Sequence, residues 1–218
     1  IRGVRGFWCA CGVMAGFSQG GGVGFALSNW MVEGDPGFDV WAMDVARYGD
    51  WATLAYTNKK VQENYSRRFS IRFPNEELPA GRPLRTTPVY ERLLAAGAQM
   101  GEAYGLEQAL WFAPPGVVDE FSWRRSTDFE HVAREVNAVR TAVGMMEIAS
   151  FAKYTIRGSG ASDWLDHLLT CRLPEEGRMT LAPMLNHGGR LIGDFSLANL
   201  SEGEYFIAGS GLAENYHM

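Results

Sequence analysis

The chain has 218 residues, 46% of them hydrophobic and 12% aromatic, and its 25 acidic and 20 basic side chains leave a formal net charge of −5. That length and apolar content supply one large domain or parts of two, and they exclude a disordered chain. The acidic balance argues against general nucleic-acid binding, and no apolar run reaches membrane-spanning length.

Gly6 to Val13 (GFWCACGV) is short, apolar and rich in aromatic and small residues, which predicts a buried strand. Cys9 and Cys11 point the same way on it. There is no CxxC pair, so neither a disulfide framework nor a zinc site is expected, and a reducing compartment fits. The opening RGVRG leads straight into this strand and is not read as a signal peptide. The chain starts at Ile1 and stops at AENYHM with an amphipathic segment just begun, which reads as an internal fragment.

The run GFSQGGGVGFALSNWM follows, with Val23, Leu27, Trp30 and Met31 at helical spacing up to Glu33 and a stop at GDPG. A glycine-rich turn is expected at Gly20 to Gly22, opening that helix. Ala52 to Phe69 predicts a second helix with Leu54, Val61, Tyr65 and Phe69 facing inward. Lys59, Lys60, Arg67 and Arg68 then form its solvated face. Phe73 to Pro88 contains four prolines and reads as an extended surface connection. Thr87 before Pro88 predicts an N-cap, and VYERLLAAGAQMGEAYG a helix ending at Gly105.

WFAPPGV, Trp111 to Val117, is the strongest boundary candidate. Ser126 is placed to cap a helix through Val143, with Phe129, Val132, Val136, Val139 and Val143 inward. From Phe151 the pattern predicts a strand (AKYTIRG) and a short helix (SDWLDHLL). Two strands, Met179 to Leu185 and Arg190 to Leu197, are joined by NHGG as a hairpin, and Glu204 to Ser210 is a third.

The dinucleotide fingerprint GxGxxG fails at the glycines, since from Gly22 its last glycine falls on Leu27, and no GK[ST] is present. On pattern alone the glycines serve close packing of strand and helix as well as they serve ligand contact. Asp194, on a strand beside Ile192, Ser196 and Ala198, reads on pattern as an exposed or edge carboxylate. His131 and His167 fall in predicted helices, His187 in a turn and His217 near the end. None has HxH or HExxH spacing, so no metal site is expected. Cys171 has no basic neighbour on its face and reads as a buried structural thiol.

The glycine segment followed by DPGFDVWAMDVARYGDW resembles the last part of the flavin domain in the dimethylglycine and sarcosine dehydrogenase family. ENYSRRFSIRFPNEELPAGRPLRTTPVYERLLAAGAQMGEAYGLEQALWFAP is similar to that family's middle domain. From Phe121 the chain resembles the folate-binding domain shared with the glycine-cleavage aminomethyltransferase, the T-protein. The resemblance implies an α+β fold in three parts. These are the C-terminal piece of an FAD-binding amine-oxidase-like domain over 1–50, a middle α+β domain over 51–116, and the start of a T-protein-like folate-binding domain over 117–218.

It further implies FAD and tetrahydrofolate as cofactors and a small N-methyl amine as substrate, with the electron acceptor not named. Ser18, Gln19, Gly20, Gly21, Gly22 and Val23 would lie at the flavin ring, the N–H dipoles of Gly20 to Val23 stabilising charge on its N1–C2=O side. Asp194 would orient the folate amine and handle a proton as the one-carbon unit is captured. Ser210 stands where T-proteins carry an asparagine near the folate, Arg190 where they commonly have a second glycine, and Gly193 where they often have another aspartate. The location implied is cytoplasmic, or the mitochondrial matrix in a eukaryote. As a fragment the chain is expected to be inactive alone. The rival readings are a regulatory subunit of the pyruvate dehydrogenase phosphatase type and a folate-dependent aminomethyltransferase.

Overall fold

A computed structural model describes residues 4–217. It comprises two compact units, one of Ile1–Gly49 with Asn215–Met218 and one of Asp50–Glu214.

In the first unit a single helix dominates, α1 (Gly16–Glu33). The expected strand over Gly6 to Val13 is not formed, and Phe7, Cys9 and Cys11 are exposed. Gly6 and Gly12 take positive φ at either end of the stretch, and a strand needs a partner edge that no described residue supplies. The glycine run is not a turn before the helix but part of it. Each glycine costs a helix roughly 1 kcal/mol against alanine, and local contacts offset that cost. Trp8 meets Trp30 edge-on at 5.6 Å and Phe25 stacks on Phe38 at 6.2 Å. Gly34, left-handed at φ 78°, ends the helix by donating its N–H to the Trp30 carbonyl, as GDPG predicted.

The second unit opens with α2 (Leu54–Ser66), capped by the Thr53 hydroxyl, which accepts from the Tyr56 N–H. Its position was legible in the sequence but its docked face was not. Leu54, Val61, Tyr65 and Phe69 are exposed. The docked stripe is Tyr56, Lys60, Glu63 and Arg67, one side of the helix at i, i+4, i+7 and i+11. Tyr56 and Lys60 hold Glu102, Glu63 accepts from the Ala80 N–H at 3.1 Å, and Arg67 pairs with Glu76.

The proline-rich connection is tied down from inside. Arg82 donates from Nε and Nη2 to the two oxygens of Glu107, at 2.8 and 2.6 Å, and from Nη2 to the Met100 carbonyl at 2.8 Å. Glu107 is only 2% exposed.

The helix predicted through Gly105 stops early. Its observed part is α3 (Tyr90–Ala95), with Val89 at the N-cap and no side-chain cap from Thr87. Gly97, at φ 90°, turns the chain into β1 (Ala98–Ala103), which pairs antiparallel with β2 (Leu106–Phe112). Tyr104 and Gly105 both have positive φ, 52° and 76°, which is the backbone of a two-residue hairpin turn.

Next comes α4 (Asp128–Thr141), where the expected inward face is again turned out, with Phe129, Val136, Val139 and Val143 exposed. Ser126 does not cap it, and its hydroxyl accepts instead from the Ser122 N–H. What docks α4 on β2 is His131, stacked on the buried Trp111 at 5.2 Å, and Glu135, accepting from the Phe112 N–H at 2.8 Å.

The remainder follows the sequence reading closely. It runs β3 (Ala152–Arg157), α5 (Ala161–Leu168), β4 (Met179–Leu185), β5 (Leu191–Ser201) and β6 (Glu204–Gly209). The strands form an antiparallel sheet in the order β3-β6-β5-β4. One sheet face, carrying Ala182, Met184, Phe195, Leu197, Tyr205 and Ile207, is buried against Ala161 and Leu165 of α5. Leu165 and Leu197 are fully buried, and each such side chain contributes about 1.5–3 kcal/mol through apolar burial. Cys171 packs against this core, partly buried. In the NHGG turn the Asn186 side chain accepts from the N–H groups of Gly188 and Arg190, at 3.0 and 2.9 Å.

Candidate functional site

The period of two in β5 sends Phe195 and Leu197 into the core and Asp194 and Ser196 to the opposite, open face. Register extends that face sideways, since Ser196 lies opposite Leu181 on β4 and Ala208 on β6, and Asp194 opposite Pro183. Along the line of β6, Ser210 comes next after the buried Gly209.

Here the surface folds into a hollow of about 340 Å³, with Ser150, Asp194, Ser196 and Ser210 in its polar lining and Phe151, Leu181 and Ala208 in its apolar wall. Two glycines set its shape. A Cβ on Gly209 would lie 2.6 Å from the Phe195 ring, and one on Gly211 would run into the Ser150 carbonyl. Asp194 is exposed, so its carboxylate stands ready for a ligand without the cost of burying a charge.

The hollow therefore joins a carboxylate acceptor, three serines and the exposed ring of Phe151. That set suits a flat, nitrogen-rich ligand with N–H groups, held on a ring face and by its edge. Asp194 and Ser210, chosen from sequence, meet there. Phe151, Leu181 and Ser196 complete the site. Ser196 was recoverable from its shared parity with Asp194, whereas Phe151 and Leu181 carry no signal along the chain.

Ser18, Gln19 and Gly20 to Val23 belong to the other unit and lie along α1. Here the local chemistry expected of them is corrected. Ser18 and Gln19 both donate their backbone N–H to the Ala15 carbonyl. From Gly20 onward the N–H groups close bonds to the preceding helical turn, so they do not form a cradle. The leading N–H groups of α1 are those of Gly16 to Ser18. A Cβ added at Gly20, Gly21, Gly22 or Gly24 would meet nothing within 4 Å, so α1 presents bare backbone along this stretch. Among the described residues no three His, Cys, Asp or Glu side chains cluster as a metal site, and no helix is long and apolar enough to cross a membrane.

Residues 89–218 match the GCVT N-terminal domain family, and residues 33–87 match the FAD dependent oxidoreductase central domain. The chain belongs to the GCVT family. Mitochondrial dimethylglycine dehydrogenase of Mus musculus is 36% identical over 96% of this chain and 24% of its own length. Mitochondrial sarcosine dehydrogenase of Homo sapiens is 28% identical over 92% of the chain and 25% of its own. The mitochondrial pyruvate dehydrogenase phosphatase regulatory subunit of Mus musculus is 31% identical over 94% and 24%. The chain thus spans about a quarter of the length of these relatives. An oxidoreductase central domain running into a GCVT domain agrees with the resemblance read from the sequence.

Proposed function

We propose that this chain works within a longer flavoprotein that oxidises a small N-methyl amine and passes the released carbon to tetrahydrofolate at Asp194. The domain order and the dehydrogenase relatives support the oxidative half. The observation that carries the folate half is the hollow on the open sheet face, where a carboxylate, three serines and an aromatic ring converge.

Flavin, when bound, supplies the two-electron oxidation of the methyl carbon. This chain's own residues then act at the acceptor end. The Asp194 carboxylate, in the lining of the hollow, would accept a hydrogen bond from an N–H of the folate and so orient the nitrogen that captures the carbon. Asp194 would also take the proton that this nitrogen loses on bonding to carbon. Phe151 and Leu181 would offer apolar contact to the faces of the bound ring. Ser18 to Val23 are proposed to border the flavin through the bare backbone of α1 rather than through an N–H cradle. Dimethylglycine and sarcosine are the first amines to test, and the mitochondrial matrix is the place expected in a eukaryote.

The test is anaerobic mixing of the longer protein with each amine while flavin absorbance is followed. Bleaching by one N-methyl amine supports the reading and names its substrate. A purified protein whose flavin no amine bleaches would overturn the oxidative half and favour a regulatory role.

A further inference from the structure

The Asp194 hollow does not end at Ser210. Ser150, Phe151 and Gly211 line it and also line a second, larger hollow of about 720 Å³. The charged lining of the larger hollow is Arg85, Lys153 and Glu214, two cations against one carboxylate.

Arg85 is fixed at its backbone, whose N–H donates to the Gly105 carbonyl at 2.8 Å and whose carbonyl accepts from the Glu107 N–H at 2.9 Å. Its guanidinium is held only loosely, 3.8 Å from Glu214 with both side chains more than a third exposed. A pair that long and that wet contributes little to stability, so a better-placed ligand carboxylate displaces it readily. The Lys153 ammonium donates to the carbonyls of Ala149 and Phe151 at 2.8 and 2.7 Å. Those bonds hold it on the wall of the larger hollow beside the shared residue Phe151, and an ammonium has a third N–H to give. The two adjoining hollows thus carry opposite polarity, with an acceptor at Asp194 in one and donors at Arg85 and Lys153 in the other. A small amino acid fills only a fraction of that space. An elongated ligand with N–H groups at one end and carboxylates at the other matches that polarity.

We infer that Arg85, aided by Lys153, is a carboxylate subsite that receives the glutamate tail of the folate whose pterin end lies at Asp194. The assignment rests on the folate reading above and adds a recognition element to it. Tail binding exchanges the Arg85–Glu214 contact for a charge-assisted, two-pronged one.

The experiment measures binding to the longer protein of tetrahydrofolate, of tetrahydropteroate (the same molecule without glutamate) and of p-aminobenzoylglutamate (the tail without the pterin). Arg85→Gln should weaken tetrahydrofolate about tenfold, the scale of a lost charge-assisted contact, and leave tetrahydropteroate unchanged. Glu214→Gln removes the competing carboxylate and should tighten tetrahydrofolate alone, which keeps the test open if Arg85→Gln folds poorly. Equal effects on the two pterins, or none in either variant, would overturn the subsite. If the wild type binds neither pterin, the Asp194 reading falls, and p-aminobenzoylglutamate then decides. Its binding, lost on Arg85→Gln, would preserve a carboxylate site, whereas no binding or unaltered binding would remove it.

Discussion

Two helices of the same compact unit are held in opposite ways. Leu165 and Ala161 of α5 are sunk into the sheet, where they meet Leu197, Phe195 and Ala182. By contrast α2 docks through Tyr56, Lys60, Glu63 and Arg67, while Leu54, Val61 and Tyr65 look outward. Apolar docking is tolerant of partners and strong per residue. Ionic docking is specific, because each charge requires its own counterpart and is weak where water reaches it. The difference teaches that apolar periodicity locates a helix but does not by itself say which face this chain covers.

The largest effect that would break this comparison lies where the ionic side is driest. Glu107→Ala leaves the Arg82 guanidinium, 13% exposed, without its bidentate partner. Urea unfolding should show a loss of about 3–5 kcal/mol, as for a buried pair cut on one side. The double change Arg82→Met with Glu107→Leu should recover most of it. A single variant within 1 kcal/mol of wild type, on the order of noise for a buried pair, would show that the pair does not hold the hairpin.

On the apolar side, Leu165→Ala should cost about 3 kcal/mol, the middle of the range for a core leucine. Calorimetry reads this directly, and a smaller loss would mean that the sheet closes over the cavity.

The α2 stripe should give intermediate values. Lys60→Ala is expected to cost about 1 kcal/mol, since Glu102 keeps Tyr56. Val61→Ala, on the outward face, should stay within about 0.5 kcal/mol. The reverse order of these two would mean that the apolar face, not the ionic one, is the docked one.

Acid sharpens the same contrast. Burial pushes the Glu102 carboxyl up, but hydrogen bonds from Lys60 and Tyr56, with the charges of Lys60 and Arg82, outweigh it and leave the carboxyl below its ordinary value of 4.5. A depressed carboxyl contributes stability that is complete above its unfolded value and is lost as pH falls through the folded one. Thermal stability should therefore fall as the pH drops below about 4.5, and less steeply in Glu102→Gln, where that titration is absent.

The legible parts of the molecule are those where side-chain pattern and observed packing agree. From β3 to β6, alternation of apolar residues matches the buried face, and Asp194 falls on the other side as its parity requires. The hairpin of β1 and β2 escaped because AAGAQMGEAYG is rich in helix-forming residues and poor in alternation, although Tyr104-Gly105 marks the turn once it is sought. Misplacement of the glycine run has the opposite cause, since three glycines outweigh helical spacing in a local reading. In the structure the aromatic contacts of Trp30 and Phe25 decide for the helix. As for the site, Asp194 and Ser210 were readable singly, but their meeting depends on register across β5 and β6.

The measurement that bears most directly on the central claim is the fate of the carbon. The longer protein would turn over an isotopically labelled N-methyl amine with tetrahydrofolate present, with and without Asp194→Asn. This substitution is on an exposed side chain and should leave stability within about 0.5 kcal/mol. The account predicts unchanged flavin reduction in the variant, with label moving from methylenetetrahydrofolate to free formaldehyde. An unchanged product ratio would contradict it, because the carbon would then be captured somewhere other than the Asp194 hollow.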